Sequence, residues 1–509
     1  MPVSFACKPE DFGGLTPHQV ELLYEPIILE VALKKVRTFP TYEDESQSCG
    51  YEATMPDLKA LRFYVDRFAQ VCDNERGGDT ISALAVLQGS NGPHYVFGAN
   101  RKDERGLART EEYVRGLLDL VGRNPEELNP AALEKRTLWS ILSFNLSRLR
   151  EYLSYLAQAV KECEASCQRL DKDRDENPYQ GVLSLKEHCT FKLDTTDETT
   201  GNKSSAISDC EKLIKMIHNL GQSNFNATIS EMAKDGEITK SDTWCNLRHF
   251  LGRWLSYRRA ALGIIEVSKR WPDLFREFEI TMISSGSRLP NPILRSDLTS
   301  SIIVQHIIAE DKIEDTELKN AADGLPHLQI DNVIQDFYNS RKFRPLLHAE
   351  ILVYEYLLKS GQAATESYWN RWNYIGSTLH GDKPFVRLSH GNLYRNWRFP
   401  EFQKNDNNEN ENQESDNHDE ARDEILKRIA QRMREDVVRT LREKRIKWKA
   451  RDSNTNSSAP EFLRSLVDTS TPMEDSDRES IASTIPEEDE SLAVLEHSTG
   501  DMDLRDGDE

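Results

Sequence analysis

The chain has 509 residues and a formal net charge of −21. Residues 401–424 carry ten acids and two bases, and residues 452–509 carry seventeen acids and three bases, so these two segments hold the whole acidic excess. The remainder is close to neutral, which argues against general attraction of the protein body to nucleic acid, and no run approaches the ~18 consecutive apolar residues of a membrane span.

Cysteine usage bears on the compartment. All eight cysteines lie before residue 246. The first residues lack the charged and apolar segments of a secretory signal, and disulfides persist mainly in oxidising compartments. We therefore expect an intracellular protein, cytoplasmic or nuclear, with free thiols and no membrane association.

The first part of the chain predicts helices followed by a hairpin. Residues 1–79 contain apolar residues at helical spacing. The period then changes, and two apolar runs flank Ser90-Asn91-Gly92-Pro93. Asn-Gly supplies the positive φ angles that a tight turn needs. Residues 80–104 are therefore predicted to form a β-hairpin.

Two long helices are predicted farther along. From Leu142 to Leu170 the apolar residues recur at alternating spacings of four and three, an unbroken a/d seam, with Thr137 as its N-cap. A second helix is expected from Thr243 to about Arg270, packed antiparallel to the first. The alternative is that the Leu142–Leu170 seam joins copies of the chain into a homo-oligomer.

Cys163 and Cys167 lie on this seam, with His188-Cys189 downstream. A metal cluster is one interpretation of them. Cysteine at a seam position behaves as a small buried hydrophobe, so packing is the interpretation that we prefer.

Beyond residue 400 the chain consists of three segments that differ in charge. Residues 401–424 are predicted to be a disordered acidic linker and residues 452–509 a disordered acidic tail, because neither can bury enough apolar area. Residues 425–451 carry eleven bases and three acids around an apolar stripe at four-residue spacing, which predicts a basic amphipathic helix. It could bind nucleic-acid phosphates or act in nuclear import, or dock on the protein through its stripe.

The segment 343–400 holds the candidate chemistry. His348-Ala349-Glu350 is predicted at the start of a helix. Zinc-dependent base deaminases have an H-x-E at the start of one helix and a P-C-x-x-C at the start of the next, and the glutamate moves the proton without binding the metal. The histidine and two thiolates leave a fourth position for water, whose pKa the zinc lowers toward ~7.

Two further motifs follow in order, Asn373-Tyr374-Ile375-Gly376-Ser377 and Lys383-Pro384. With them, residues 343–394 resemble the deaminase-like domain of a largely uncharacterised family common in fungi, the OTT-type branch of the nucleotide and nucleic-acid deaminase superfamily. The hairpin 80–104 resembles the first two strands of that fold. The resemblance implies a predominantly helical α+β protein whose deaminase-like core, residues 80–104 and 343–400, is interrupted by a helical insertion, residues 105–342.

The cysteine pair of that family is missing. Alignment through Lys383-Pro384 and Arg387-Leu388 places Val386 and Ser389 at the two cysteine positions. Valine cannot bind zinc and serine is a poor zinc ligand at neutral pH. We therefore interpret His348 as a vestigial zinc ligand and Glu350 as a vestigial proton shuttle, with no cofactor expected.

Three functions are compatible with this sequence. The first is a catalytically inactive deaminase-like protein that acts in binding or regulation, with an unidentified protein partner. The second is an active zinc-dependent hydrolytic deaminase of a nucleobase or nucleic acid, with His348 as ligand and Glu350 as acid and base. Its zinc would be held by unorthodox residues, such as His380 or His390, or by a partner chain. The third is a helical oligomerising scaffold built on the Leu142–Leu170 seam.

Overall fold

The computed structural model describes residues 12–36, 41–42, 56–75, 79–168, 178–193, 200–234, 241–313, 316–340, 343–359, 375–377, 386–388, 396–400, 414–444 and 446–447. The tail predicted over 452–509, together with His380, Ser389 and His390, lies outside these ranges. Helices account for 71% of the described residues, and a small mixed sheet accompanies them. The predominantly helical α+β class is therefore confirmed.

The helices are α1 (Pro17–Val36), α2 (Pro56–Val71), α3 (Glu104–Arg123), α4 (Pro130–Phe144), α5 (Leu146–Cys167), α6 (Tyr179–His188), α7 (Thr200–Gly221), α8 (Phe225–Lys234), α9 (Ser241–Arg270), α10 (Ser300–Glu310), α11 (Thr316–Gly324), α12 (Ile330–Asn339), α13 (Ala349–Lys359) and α14 (Glu414–Glu443). Short 3-10 helices cover Pro272–Phe275 and Leu325–Leu328. The strands are β1 (Thr41–Tyr42), β2 (Ser82–Gln88), β3 (Pro93–Ala99), β4 (Glu279–Ile283), β5 (Ile375–Ser377), β6 (Val386–Leu388) and β7 (Ile446–Lys447).

The predicted hairpin is present as β2 and β3. The two strands pair antiparallel from Ser82 opposite Ala99 to Gln88 opposite Pro93. The turn closes with a hydrogen bond from the Gly89 N–H to the Gly92 carbonyl at 2.8 Å. Gly92 has φ +145°, a conformation that a side chain would strain. The Asn-Gly signal therefore located the turn correctly.

The side chains of the hairpin alternate between its two faces, and each face packs against different helices. Side chains on one face of a strand recur every second residue. One face packs in the core that α2, α3, α4, α5 and α9 share, and it comprises Leu84, Val86, Tyr95 and Phe97. The other face packs against α13 and comprises Ala83, Ala85, Leu87 and Val96. The sheet thus lies between the long helices and α13.

The third strand of this sheet comes from the segment predicted to be a helical insertion. β4 pairs parallel with β3, with Glu279 opposite His94 and Ile283 opposite Gly98. β5 and β6 form a separate antiparallel pair. Residues 105–342 are therefore not wholly helical, and the strand beside the hairpin is β4 rather than the segment at Ile375–Ser377.

The two long helices α5 and α9 pack as an antiparallel pair, as predicted. The Cys163 thiol near the end of α5 donates to the Thr243 carbonyl at 3.7 Å. Toward the other end of the pair, the Arg253 guanidinium lies 5.9 Å from the ring centre of Tyr152. Most seam residues within the described range are buried in this core, and Leu146 is partly buried against it; the buried ones are Leu142, Leu149, Leu153, Leu156, Val160, Cys163 and Cys167.

The predicted helix is interrupted within the seam. Asn145 separates α4 from α5, and its side-chain amide donates to the carbonyls of Ile141 and Val71, each at 2.9 Å. The N-cap is Asn129, whose side chain accepts from the Ala132 N–H. Thr137 is buried in the middle of α4 instead. The prediction of one unbroken helix capped by Thr137 was wrong, because Asn145 satisfies buried backbone groups from two helices at once.

A second core joins the N-terminal helix to the later helices. Residues of α1, α10, α12 and α14 contribute to one apolar cluster. Of the predicted apolar stripe of α14, Met433, Val437 and Leu441 are buried in this cluster, and Ile425 and Ile429 are partly buried against it. α14 begins at Glu414, so the end of the predicted disordered linker 401–424 is helical.

Six cysteines lie in the described ranges, and all six are free thiols: Cys72, Cys163, Cys167, Cys189, Cys210 and Cys245. Burial raises the pKa of the Cys72 and Cys189 thiols to about 12. They are therefore protonated near neutral pH, as expected for packing residues. None of the described helices combines the length and the apolar character needed to cross a membrane.

Candidate functional site

The candidate site lies where α13 begins on the surface of the sheet. The His348 carbonyl accepts hydrogen bonds from the amides of Ile351 at 2.9 Å and Leu352 at 3.1 Å. His348 therefore precedes the first turn, and Glu350 lies within it. An acidic residue is favoured there because the helix dipole places partial positive charge at the N-terminus.

Asn100 attaches this first turn to the hairpin. The Ala349 N–H donates to Asn100 Oδ1 at 2.7 Å in a buried position, 249 residues apart in sequence. Gly98 permits the contact, because a Cβ at that residue would lie 2.9 Å from the Ala349 carbonyl oxygen and 3.1 Å from Val353 Cγ2. The His-Ala-Glu segment is therefore held directly against the end of β3.

The two titratable side chains of the site both favour their neutral forms. Glu350 is 5% exposed, and burial raises its pKa to about 7, although its own backbone N–H donates to the carboxylate and opposes the rise. Burial lowers the pKa of His348 to about 4. Near neutral pH the imidazole is uncharged, and the Glu350 carboxyl is divided between its protonated and ionised forms.

The Glu350 carboxylate is only partly satisfied. Among the described residues, its Oε2 atom is buried without a hydrogen-bond partner. A carboxyl group with a pKa near 7 can exchange a proton under physiological conditions. The site therefore has one group suited to acid–base chemistry beside a neutral imidazole.

Hydrogen bonds from two segments that the sequence analysis did not single out hold the residues around the start of α13. Leu289 donates its N–H to the Pro345 carbonyl at 2.7 Å, and Leu346 pairs with the strand-like segment around Trp397. Arg398 donates from Nη1 to the Ser287 carbonyl at 3.0 Å. Sequence reasoning missed these supports because each joins stretches far apart that are locally unremarkable.

The segment aligned with the cysteine pair of zinc deaminases has a different secondary structure from that motif. Val386 begins β6, opposite Ser377 of β5. A cysteine pair of the zinc-deaminase type would lie at the start of a helix. The structure therefore places His348 immediately before α13 and Glu350 in its first turn, has Val386 on a strand, and leaves Ser389 outside the described residues.

The side chains do not fit a zinc centre of this type. A catalytic zinc needs three protein donors and an open position. His348 offers one nitrogen, whereas valine at 386 has no donor atom. Across the ranges that the structure describes, no cluster of three or more His, Cys, Asp or Glu side chains is placed to hold a metal.

The chain was compared with known protein families, proteins and structures. No protein-family model, no curated protein and no solved structure matches the chain.

Proposed function

We propose that this chain is a deaminase-like protein that does not catalyse deamination and that acts by binding a partner. The observation that supports this most is the donor set. His348 and Glu350 are kept at the start of α13, but the aligned position 386 holds a side chain that cannot bind a metal. Without a metal-bound water, the hydrolytic step of this enzyme class has no nucleophile.

The environment of the two residues supports a role in the protein interior. Burial drives both side chains toward their neutral forms, which lowers the cost of removing them from water. The hydrogen bond from Ala349 to Asn100 fixes the same turn. His348 and Glu350 then belong to the attachment of α13 to the sheet.

The hydrolase alternative rests on one observation, the Glu350 pKa near 7. Such a carboxyl could act as general acid or base if another group activated water. The scaffold alternative has no comparable support, because the described part of the Leu142–Leu170 seam packs within the core of the chain itself.

An activity assay separates these possibilities. Ammonia release should be measured with cytidine, adenosine and single-stranded oligonucleotides, for the unmodified chain and for Glu350→Gln. Glu112→Gln, at an exposed position of α3, is the matched control. We expect no turnover by any form. Turnover that Glu350→Gln abolishes and Glu112→Gln retains would overturn the proposal.

A further inference from the structure

A cavity of about 250 Å³ lies between α7, α8 and α9, and none of its lining residues belongs to the site on α13. Its walls are largely apolar, with Ile217, Phe225, Ile229, Leu251 and Leu255 among them. No aspartate or glutamate lines it. Small-molecule sites are commonly apolar cavities with a few polar groups.

Three guanidinium groups also line the cavity, and they differ in how they are neutralised. Arg258 pairs with Glu134, with 3.1 Å between Nε and Oε1. Arg248 and Arg259 have no carboxylate or hydrogen-bond partner within the described ranges. The cavity therefore carries two positive charges without a carboxylate partner in this part of the chain, one on the exposed Arg248 and one on the half-buried Arg259.

Arg259 is the more confined of the two. Burial, and secondarily the guanidinium of Arg67, lower its pKa to about 10. It remains protonated at neutral pH, half-buried and close to another cation. A positive charge removed from water is costly unless an anion accompanies it. An anion entering the cavity would supply the missing partner.

The positions of the lining residues along α9 show how far apart the two arginines lie. Arg248, Gly252, Leu255 and Arg259 recur at intervals of three and four residues, so they share one face of the helix. At 1.5 Å per residue, Arg248 and Arg259 lie about 16 Å apart along the axis. Gly252 leaves space between them, since a Cβ at that position would meet nothing within 4 Å.

We propose that the cavity between α7, α8 and α9 binds a small organic anion, with its apolar ring system over Gly252 and its oxyanion paired with Arg259. Guanidinium groups match phosphate and carboxylate geometry in a bidentate manner. The shared chemistry is therefore a planar apolar body ending in a phosphate or a carboxylate. Arg248 would bind a second polar group at the other end of a longer ligand.

Calorimetric titration of the full chain with four probes tests this proposal. The probes are 1-naphthyl phosphate, 1-naphthoate, the uncharged 1-naphthol and inorganic phosphate. We expect one or both naphthyl anions to bind at least tenfold more tightly than 1-naphthol and inorganic phosphate, and the stronger of the two identifies the preferred oxyanion. Failure of both anions to bind, or equal binding of 1-naphthol, would overturn the proposal.

Three variants place the binding in this cavity. Arg259→Gln removes one charge and should weaken binding of the preferred naphthyl anion by about tenfold or more, as expected for a charge-assisted hydrogen bond. Gly252→Leu fills the open space and should also weaken it at least tenfold. Gly116→Leu is the matched control, because Gly116 lies on α3 with nothing within 4 Å of an added Cβ.

Two results with the leucine variants would place the binding elsewhere. Unchanged binding in Gly252→Leu, or equal losses in Gly252→Leu and Gly116→Leu, would contradict the location. Circular dichroism of each variant shows whether it is folded, and Arg259→Gln provides a second test if the leucine substitution unfolds the chain. No outcome of these titrations depends on whether the site on α13 is catalytic.

Discussion

His348 and Glu350 should give the stability of the protein two opposing pH dependences. Glu350 has a pKa raised from 4.5 to about 7, so its folded form holds a proton that the unfolded chain releases. That contribution to stability is fully present below pH 4.5 and is lost as pH rises through 7. At ~1.4 kcal/mol per pH unit, the interval corresponds to about 3 kcal/mol.

His348 acts in the opposite direction. Its pKa is lowered from 6.5 to about 4, so its contribution to stability is present above pH 6.5 and is lost as pH falls toward 4. The magnitude is again at most about 3 kcal/mol, because the ring is only partly covered. Between pH 4.5 and 6.5 the two contributions should largely cancel in the unmodified chain.

Single substitutions should separate the two pH dependences of the free energy of unfolding. The free energy of unfolding in urea would be measured from pH 4.5 to 7.5 for Glu350→Gln, His348→Gln, the double variant and the unmodified chain. Relative to the unmodified chain, Glu350→Gln should gain about 3 kcal/mol as pH rises across this range. His348→Gln should gain in the opposite direction, as pH falls, by up to about 3 kcal/mol.

The double variant measures the coupling between the two side chains, because the effects of neighbouring residues need not add. Other titrating groups are common to all four proteins and disappear from the differences. If both single variants run parallel to the unmodified chain over the whole range, the two side chains have ordinary pKa values and the description of the site as a neutral pair is wrong.

Three further substitutions test how the site and its surroundings are held. Gly98→Ala should cost about 1–3 kcal/mol in unfolding free energy, because its Cβ would press on the backbone of α13, whereas Gly116→Ala in open space should not destabilise; equal effects would contradict the close approach. Asn100→Ala should cost about 1–3 kcal/mol by leaving a buried amide unpaired, and a neutral result would refute that hydrogen bond. Met433→Asp should release α14 to limited proteolysis, because it places an unpaired charge in the core, and the exposed control Gln431→Asp should not; equal cleavage of both variants would contradict the docking of α14.

Local patterns identified several elements but not their partners. The Asn91-Gly92 turn and the spacing of the α14 stripe depend on neighbours within a few residues, so the sequence predicts them directly. β4 was missed because a five-residue strand is defined by its parallel pairing with β3, about 185 residues earlier in the chain. Asn145 was missed for a similar reason, since its acceptor on Val71 lies in another helix.

The candidate site shows the same limit. The sequence identified His348 and Glu350 and the absence of cysteine after residue 245, because residue types are visible without a fold. The neutral states of the two side chains follow from their burial in the folded chain. The attachment through Asn100 depends on Gly98 permitting close approach, which no local pattern encodes.

The metal content of the purified protein decides whether His348 still belongs to a zinc site. The purified chain and His348→Ala would be dialysed against micromolar free zinc, and the bound metal counted per chain by mass spectrometry. We predict no difference in bound zinc between the two proteins, because His348 has no companion metal ligands among the described residues. One zinc retained per unmodified chain and lost in the folded His348→Ala variant would contradict the claim that the deaminase-type centre has been lost.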